Sequence, residues 1–555
     1  MKKLVIILMI LTALVALLVS CGDKEPAETT TEAKLVAVMT DTASSYTAVY
    51  PLSYSFNTYK GEAVKYFEEL VKENSGGAIA IKSDFLAGEE AAGSYEILLG
   101  ATNRPESIEA MKTLRRDDYL IGFVNGKLCA IGGSDEASAK AIRHFATMFF
   151  SKTQNDLVLP ETFYQRFDGS YPLNSLTVFG TPIDKVAIVA PSSLSKDAES
   201  LKNGILELTG YTLPTVTKRA ENDGIAYAIT LSAENDGGFT ANAEGITIAH
   251  TDALTRSQLV TGLLATCQKG APDAILSENT AFLKAEAGTK LSIVDLNVYS
   301  TGFGENSVVN RYPRLMTYLA NANYPTVLAL QDVSPTWIDQ FDRKGEGFQS
   351  MNEVYGYIGE GRNADDESVM QAVFYRKDLV TLVRSGTFWL SETPDICSVG
   401  WDGRTRSTCA WAVLRDNATG QEFAVMSTML DPYGKNARLN GIALILERAA
   451  DLGCPVILCG DLNVVSKNST AKKVTNGDFF DAQSIALSGD KTEIITAHNA
   501  FGSGNELPSK SDFIFTSYGD FTVNSHAIDK TKIENGFISN HWILYADISL
   551  LEYRE

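Results

Sequence analysis

The stretch Val456-Ile457-Leu458-Cys459-Gly460-Asp461-Leu462-Asn463 decides how the C-terminal half of this 555-residue chain is read. Its four apolar residues read as a short strand. The Gly, Asp and Asn behind them read as the turn that ends it. Taken alone, the pair Asp461 and Asn463 is as well explained by that turn as by chemistry. Further short apolar runs alternate with polar loops on both sides, at residues 291–298, 327–330, 372–375, 409–414, 423–426, 513–515 and 542–548. Two helical stretches lie among them, at about 311–322 and 438–452. Many strands and few helices predict two packed sheets flanked by helices, in a chain of the α+β class.

Polar motifs stand beside these runs. In order they are Leu296-Asn297-Val298, Leu330-Gln331-Asp332-Val333, Thr428-Met429-Leu430-Asp431, Gly460-Asp461-Leu462-Asn463, Ser511-Asp512-Phe513-Ile514 and Ser539-Asn540-His541. Linking segments at 374–378, 386–394 and 400–402 accompany them. The ordered set resembles the endonuclease/exonuclease/phosphatase superfamily, over residues 288–555. The resemblance implies a four-layer α/β/β/α sandwich with its site at one end. It implies hydrolysis of a phosphodiester or phosphomonoester with Mg²⁺ or Mn²⁺. Asn297, Asp332 and Asn540 would face the metal, Asp461 would activate water, Asn463 would hold the phosphate, and Asp512 would orient His541. Such chemistry needs a cation to neutralise phosphate, a carboxylate to orient and deprotonate water, and donors for charge developing on the phosphate oxygens.

The departures from the family pattern decide what activity to expect. The family has Glu where this chain has Asp332, Asp where it has Asn540, and His where it has Met429. Nucleases of the pancreatic type pair that His with a Glu placed before the Phe-Tyr-Arg strand. Here that position is Val369, and Glu367 is out of register. One acid–base pair is therefore missing, while Asp512 and His541 are both present. General acid–base assistance is worth roughly 10²–10⁴-fold, so the substitutions predict a weakened or lost activity. The rival expectation is a working phosphodiesterase or phosphatase with a trimmed site. His498 resembles a family His beside the site and reads as a structural hydrogen bonder, and Trp401 with Arg406 are candidates to line the cleft.

The chain begins with Lys2 and Lys3 before an apolar run at 4–19, shorter than the ~20 residues of a spanning helix. The run ends in Leu18-Val19-Ser20-Cys21, which resembles a bacterial lipobox. That implies removal of residues 1–20 as a signal peptide, lipid on Cys21, and an extracytoplasmic protein anchored to the bacterial cell membrane. An ordinary signal peptide or an uncleaved anchor are the alternatives. Residues 21–34 are polar and read as a disordered tether. The net charge of −20 argues against general affinity for nucleic acid, because neutralising phosphates takes clustered Lys and Arg. A phosphate-ester ligand is the expected partner. The six cysteines after Cys21 include no C-x-x-C and no zinc spacing with His. They read as small buried thiols, with a disulfide left open.

Between tether and sandwich, two segments repeat one order of helix, strand, hairpin and helix, at 35–167 and 173–271. The first has a helix at 62–71, a strand at 95–100, an Asn125-Gly126 hairpin turn and a helix at 136–149. The second has a helix at 198–208, a strand at 227–231, a turn at Glu244-Gly245 and a helix at 255–267. Through Glu96 to Arg104, Asp117-Asp118-Tyr119 and Gly126 to Gly133, the first copy resembles the small α/β domain ahead of the catalytic barrels of β-hexosaminidases and α-glucuronidases. That domain carries no catalytic residues, so the resemblance implies a packing or surface-binding module. It adds a third reading of the whole, an envelope glycan-binding protein. His144 reads as a partly buried structural histidine and His250 as solvated.

Overall fold

A computed structural model describes residues 34–56, 58–85, 95–220, 224–492, 494–498, 501, 506–507 and 510–555. The signal segment and Cys21 lie outside the described residues. The chain divides into two compact units, one ending at Gly169 and the other running from Ser170 to Glu555.

The first unit is a six-stranded sheet in the order Ala80–Ser83, Thr47–Tyr50, Glu96–Leu99, Lys127–Gly132, Tyr119–Val124 and Tyr164–Phe167. The first four strands are parallel and the last two pairings antiparallel. Strand period sorts its residues between two faces. Ala48, Ile97 and Leu99 face the helices Thr58–Ser75 and Asp135–Phe150, while Val49 and Leu98 belong to a smaller cluster with Ala110 of the helix Pro105–Met111. Asn125 and Gly126 close the hairpin with φ of 47° and 86°, the paired positive values that a two-residue turn of this hand requires. The residues that carried the resemblance are structural. Glu96 is buried and accepts from Arg104 Nε at 3.0 Å and Lys127 Nζ at 2.9 Å. Asp118 is buried and accepts from Arg115, Arg166 and the Gly169 amide.

The second unit opens with the second copy. Its sheet runs Thr215–Val216, Val186–Val189, Tyr227–Ser232, Gly245–Ala249, Gly238–Asn242, the order and strand sense of the first copy's first five strands. The repeat is therefore two strands longer than the sequence suggested, one of them Ala80–Ser83 or Thr215–Val216 after the first helix. Each copy starts with a strand, Thr47–Tyr50 or Val186–Val189, ahead of its first helix. In both copies a side-chain cap starts the last helix: Ser134 accepts from the Ala137 amide, and Asp252 from the Thr255 amide.

Residues 284–554 form two six-stranded sheets. One runs Tyr355–Ile358, Met370–Arg376, Val327–Val333, Lys284–Asn297, Ile543–Arg554, Phe521–Asp529, and the other Val380–Trp389, Thr408–Asp416, Glu422–Met429, Val456–Asp461, Asp512–Ser517, Phe479–Asp481. Ile293, Ala329 and Val373 of the first meet Val425, Ile457 and Ile514 of the second in an apolar core. The helices Val308–Asn321 and Lys435–Ala450 cover the outer faces. This is the expected four-layer sandwich. Several strands lack a clean sequence signal, among them Val380–Trp389 and Phe521–Asp529. The first is mostly solvated, and both pass through a register shift that breaks their alternation.

The second copy shares a core with the sandwich. Phe480 and Tyr518 are buried in the cluster that holds Leu201, Ile205 and Val260. Asp197 of the helix Ser195–Thr209 is buried, accepting from Arg256 Nε at 2.9 Å and the Tyr518 hydroxyl at 2.5 Å. Lys196 reaches across to the carbonyls of Thr475 and Phe479. Removing one partner of a buried pair leaves a charge without compensation. Asp197→Ala is expected to cost about 3–5 kcal/mol, read as a lower urea midpoint with unchanged slope. A shift within the error of the unchanged chain would show that Arg256 is satisfied by the carbonyls of His250 and Thr251 alone.

Candidate active site

The sandwich topology brings the polar motifs to one end. Asn297, Met429 and Asp461 are the last residues of their strands, Asp332 is the last but one of its strand, and Asp512 starts a strand running the other way. His541 precedes the antiparallel strand Ile543–Arg554. Together with Tyr299, Asn463, Val464, Val465, Ala497, His498, Ser511 and Asn540, all but Asp512 line a cleft of about 390 Å³. Gly460 is required at the base, since a β-carbon there would stand 2.0 Å from the Thr428 carbonyl at a φ of 146°.

Asp461 and Asp512 face one another in the antiparallel register, a placement that is destabilising for like charges. His541 Nδ1 bridges to both Asp512 oxygens, at 2.9 and 3.1 Å. Burial alone would lower the imidazole's proton affinity, but the charge and hydrogen bond of Asp512, with Asp461 behind it, raise its pKa to about 9. Burial and the Asp512 charge push Asp461 up to about 6. Asp461 accepts from Asn297 Nδ2 at 3.2 Å and from the Asn463 amide at 2.9 Å. Asn463 also donates through Nδ2 to the Leu430 carbonyl, so one of its two side-chain N–H groups is already committed.

Asp461, Asp512 and His541 each offer a ligand atom within 4.8 Å of the others. Two buried carboxylates side by side, one with raised proton affinity, leave negative charge at this end of the cleft that a divalent cation held on neighbouring oxygen donors would offset. Of the residues expected at the metal, Asp332 presents a half-buried carboxylate whose Oδ2 accepts from the Ser300 amide. Its backbone stands at φ 58°, held by Gln371 Oε1. Asn297 Oδ1 accepts from the Tyr299 amide, and Asn540 Oδ1 from the Ser539 hydroxyl at 3.4 Å. Met429 occupies the cleft, with its sulfur 3.8 Å from Asn297 Nδ2. Val369, one residue before the strand Met370–Arg376, is not part of the cleft lining. Trp401 and Arg406 are likewise not among the lining residues, and Arg406 bonds to Asn363. His498 bonds to the Ser539 carbonyl and stacks on Trp542 at 4.1 Å, the structural role expected of it.

Residues of the helix and strand interiors hold the site, and sequence motifs did not single them out. Arg311 is fully buried and donates to the carbonyls of Val298, Tyr299, Thr301, Asn306 and Ile538. It pins the loop after Asn297 to the segment before His541. Burial lowers its pKa to about 10, which leaves it charged at neutral pH. Beneath the site, Gln331 donates to Asp295 Oδ1 at 2.8 Å, and burial with the Asp512 charge raises Asp295 well above the usual carboxylate range. An Arg in the first turn of an apolar helix, and an Asp inside a strand run, are the signals that could have found them.

Solved structures similar to this chain include an endonuclease/exonuclease/phosphatase from Bacteroides vulgatus, 25% identical, covering 47% of this chain and 100% of its own, with a TM-score of 0.43. An endonuclease/exonuclease/phosphatase family protein from Bacteroides thetaiotaomicron is 27% identical over 47% of this chain and 98% of its own, with a TM-score of 0.42. A mannosyl-6-phosphatase from Bacteroides thetaiotaomicron is 25% identical over 48% of this chain and 100% of its own, with a TM-score of 0.41. No protein-family model and no curated protein matches the chain.

Asp431 of the third motif is buried and ties residues 404–405 to the turn at 433–434. Burial would raise its pKa, but the amides of Gly434, Thr405, Arg404 and Tyr433 and the Thr405 hydroxyl lower it to about 2. A depressed carboxylate stabilises above its unfolded pKa and loses that contribution as pH falls through the folded one. Asp431→Asn is therefore expected to cost at least about 2 kcal/mol at pH 7. The gap should close between about pH 4 and pH 2 in paired denaturation curves. A gap independent of pH would remove the ionised carboxylate from the account.

Proposed function

We propose that the sandwich is a phosphoester hydrolase of the divalent-cation class, slowed by the loss of its second acid–base pair. The observation that carries the reading is the Asp512–His541 pair, opening on a cleft that also holds Asp461 and Asp332. With Nδ1 committed to Asp512, His541 meets a phosphate oxygen through Nε2 as a cation. Asp461 orients the attacking water and accepts its proton, which suits a carboxylate raised to about 6. Asn463 adds its remaining N–H to a phosphate oxygen. Asp332 and Asn540, with Asn297, would hold Mg²⁺ or Mn²⁺, which supplies charge neutralisation and Lewis acidity when bound. Met429 can neither protonate a leaving oxygen nor stabilise it.

The test is hydrolysis of bis(p-nitrophenyl) phosphate by the purified chain with Mg²⁺, with Mn²⁺ and after chelation. Slow turnover that needs the ion and disappears in Asp461→Ala is expected. Met429→His with Val369→Glu, which rebuilds the missing pair, combined with Asn540→Asp and Asp332→Glu at the metal, should raise the rate by roughly 10²-fold, and each single change by much less, because a pair acts as a unit. Fast turnover by the unaltered chain, with no gain on reconstruction, would mean that the present residues already supply the proton path.

We further propose that the protein is exported and held at the membrane by lipid on Cys21, from the Leu-Val-Ser-Cys sequence closing its apolar leader. Cys21→Ser is expected to abolish metabolic lipid labelling and to leave the leader attached or the protein released. Labelling that persists would place the anchor elsewhere.

A further inference from the structure

We infer that the cleft selects the phosphate ester of one small uncharged alcohol and rejects a nucleic-acid strand. The inference rests on the hydrolase reading above and deepens it. The first ground is charge. Among the described lining residues only the two histidines, His498 and His541, can carry a positive charge, against the carboxylates of Asp332 and Asp461. Residues 499–509, which follow His498 in sequence, contain no Lys or Arg. Lys467, two residues beyond Val465, is exposed, and other cations on the segments around the site are committed elsewhere. Arg311 is fully buried against five backbone carbonyls. Lys510, two residues before Asp512, is buried with its ammonium on Asp481 and Gln483. Lys530 and Lys532 stand over the rings of Trp542 and Phe537, one ring removed from the cleft. Arg404 stacks on Tyr433 outside it. A strand brings a phosphate with every nucleotide, and beyond the first they would meet mostly acid or apolar wall here, with Lys467 alone among the described residues named above to replace their counterions.

The second ground is shape and lining. The cleft's volume of about 390 Å³ sits at the low end of the ~300–1,000 Å³ that enclose one small molecule. Once the phosphate is placed against His541, the walls left for the alcohol are Tyr299, Met429, Val464, Val465 and Ala497. These offer a ring face and aliphatic surface. They suit an uncharged body that packs by its C–H faces, and they hold no cation for a second phosphate.

The experiment compares, with the whole chain in Mn²⁺, glycerol 3-phosphate and a hexose 6-phosphate against a twelve-nucleotide single strand. The expected result is a kcat/KM at least about 100-fold higher for a small ester, with little dependence on salt. Equal or faster cleavage of the strand, or a steep fall of its binding with salt, would overturn the inference. If nothing is cleaved, bis(p-nitrophenyl) phosphate included, the hydrolase reading fails, and calorimetric binding to the same chain decides the selectivity. Binding of a small ester without the strand upholds it. Binding of the strand, or of neither, overturns it.

Discussion

Two carboxylates stand opposite one another in neighbouring strands, and this end of the sandwich is arranged to keep them there. Antiparallel register fixes Asp461 against Asp512, and the sheets continue beneath them without a break. Repulsion between them would spread the strand ends apart. His541 answers it on one side by bridging Asp512, and Asn297 on the other by donating to Asp461. Arg311 then ties the loop behind Asn297 to the segment carrying His541, so the two answers are mechanically one. The raised proton affinity of Asp461 is what remains of the conflict.

Part of this was legible in the sequence because it lies at strand ends. A run such as Val456 to Cys459 followed by Gly460 and Asp461 announces both an element and its edge, and six such motifs in order were enough to name the architecture. What lies inside elements was not legible. Asp295 looks like an interruption in an apolar run, and nothing local tells that Gln331 and a crowd of acids wait across the sheet. Val369 lies one residue before its strand, where counting along the strand no longer fixes the face a side chain takes.

The N-terminal copies show the opposite failing of motif reading. Glu96, Arg104 and Lys127 stand out by residue type, yet the structure spends them on a buried ion pair between strand, loop and neighbouring strand. Such a triad explains a recurring pattern without any ligand. Removing one member leaves a buried charge unpaired, so this residue pattern is held by stability. The second copy lacks that triad and uses a different buried pair, Asp197 with Arg256, facing the sandwich.

That difference sets where the chain can be divided. Sequence places a clean joint near residue 288, but Phe480 and Tyr518 belong to the same apolar cluster as Leu201 and Ile205. A polypeptide cut there would present the rings of Phe480 and Tyr518 to water, a patch that invites self-association. The sandwich is finished only when its neighbour is laid against it. The smallest part of this protein that should stay monodisperse begins near Ser170, far ahead of the first motif.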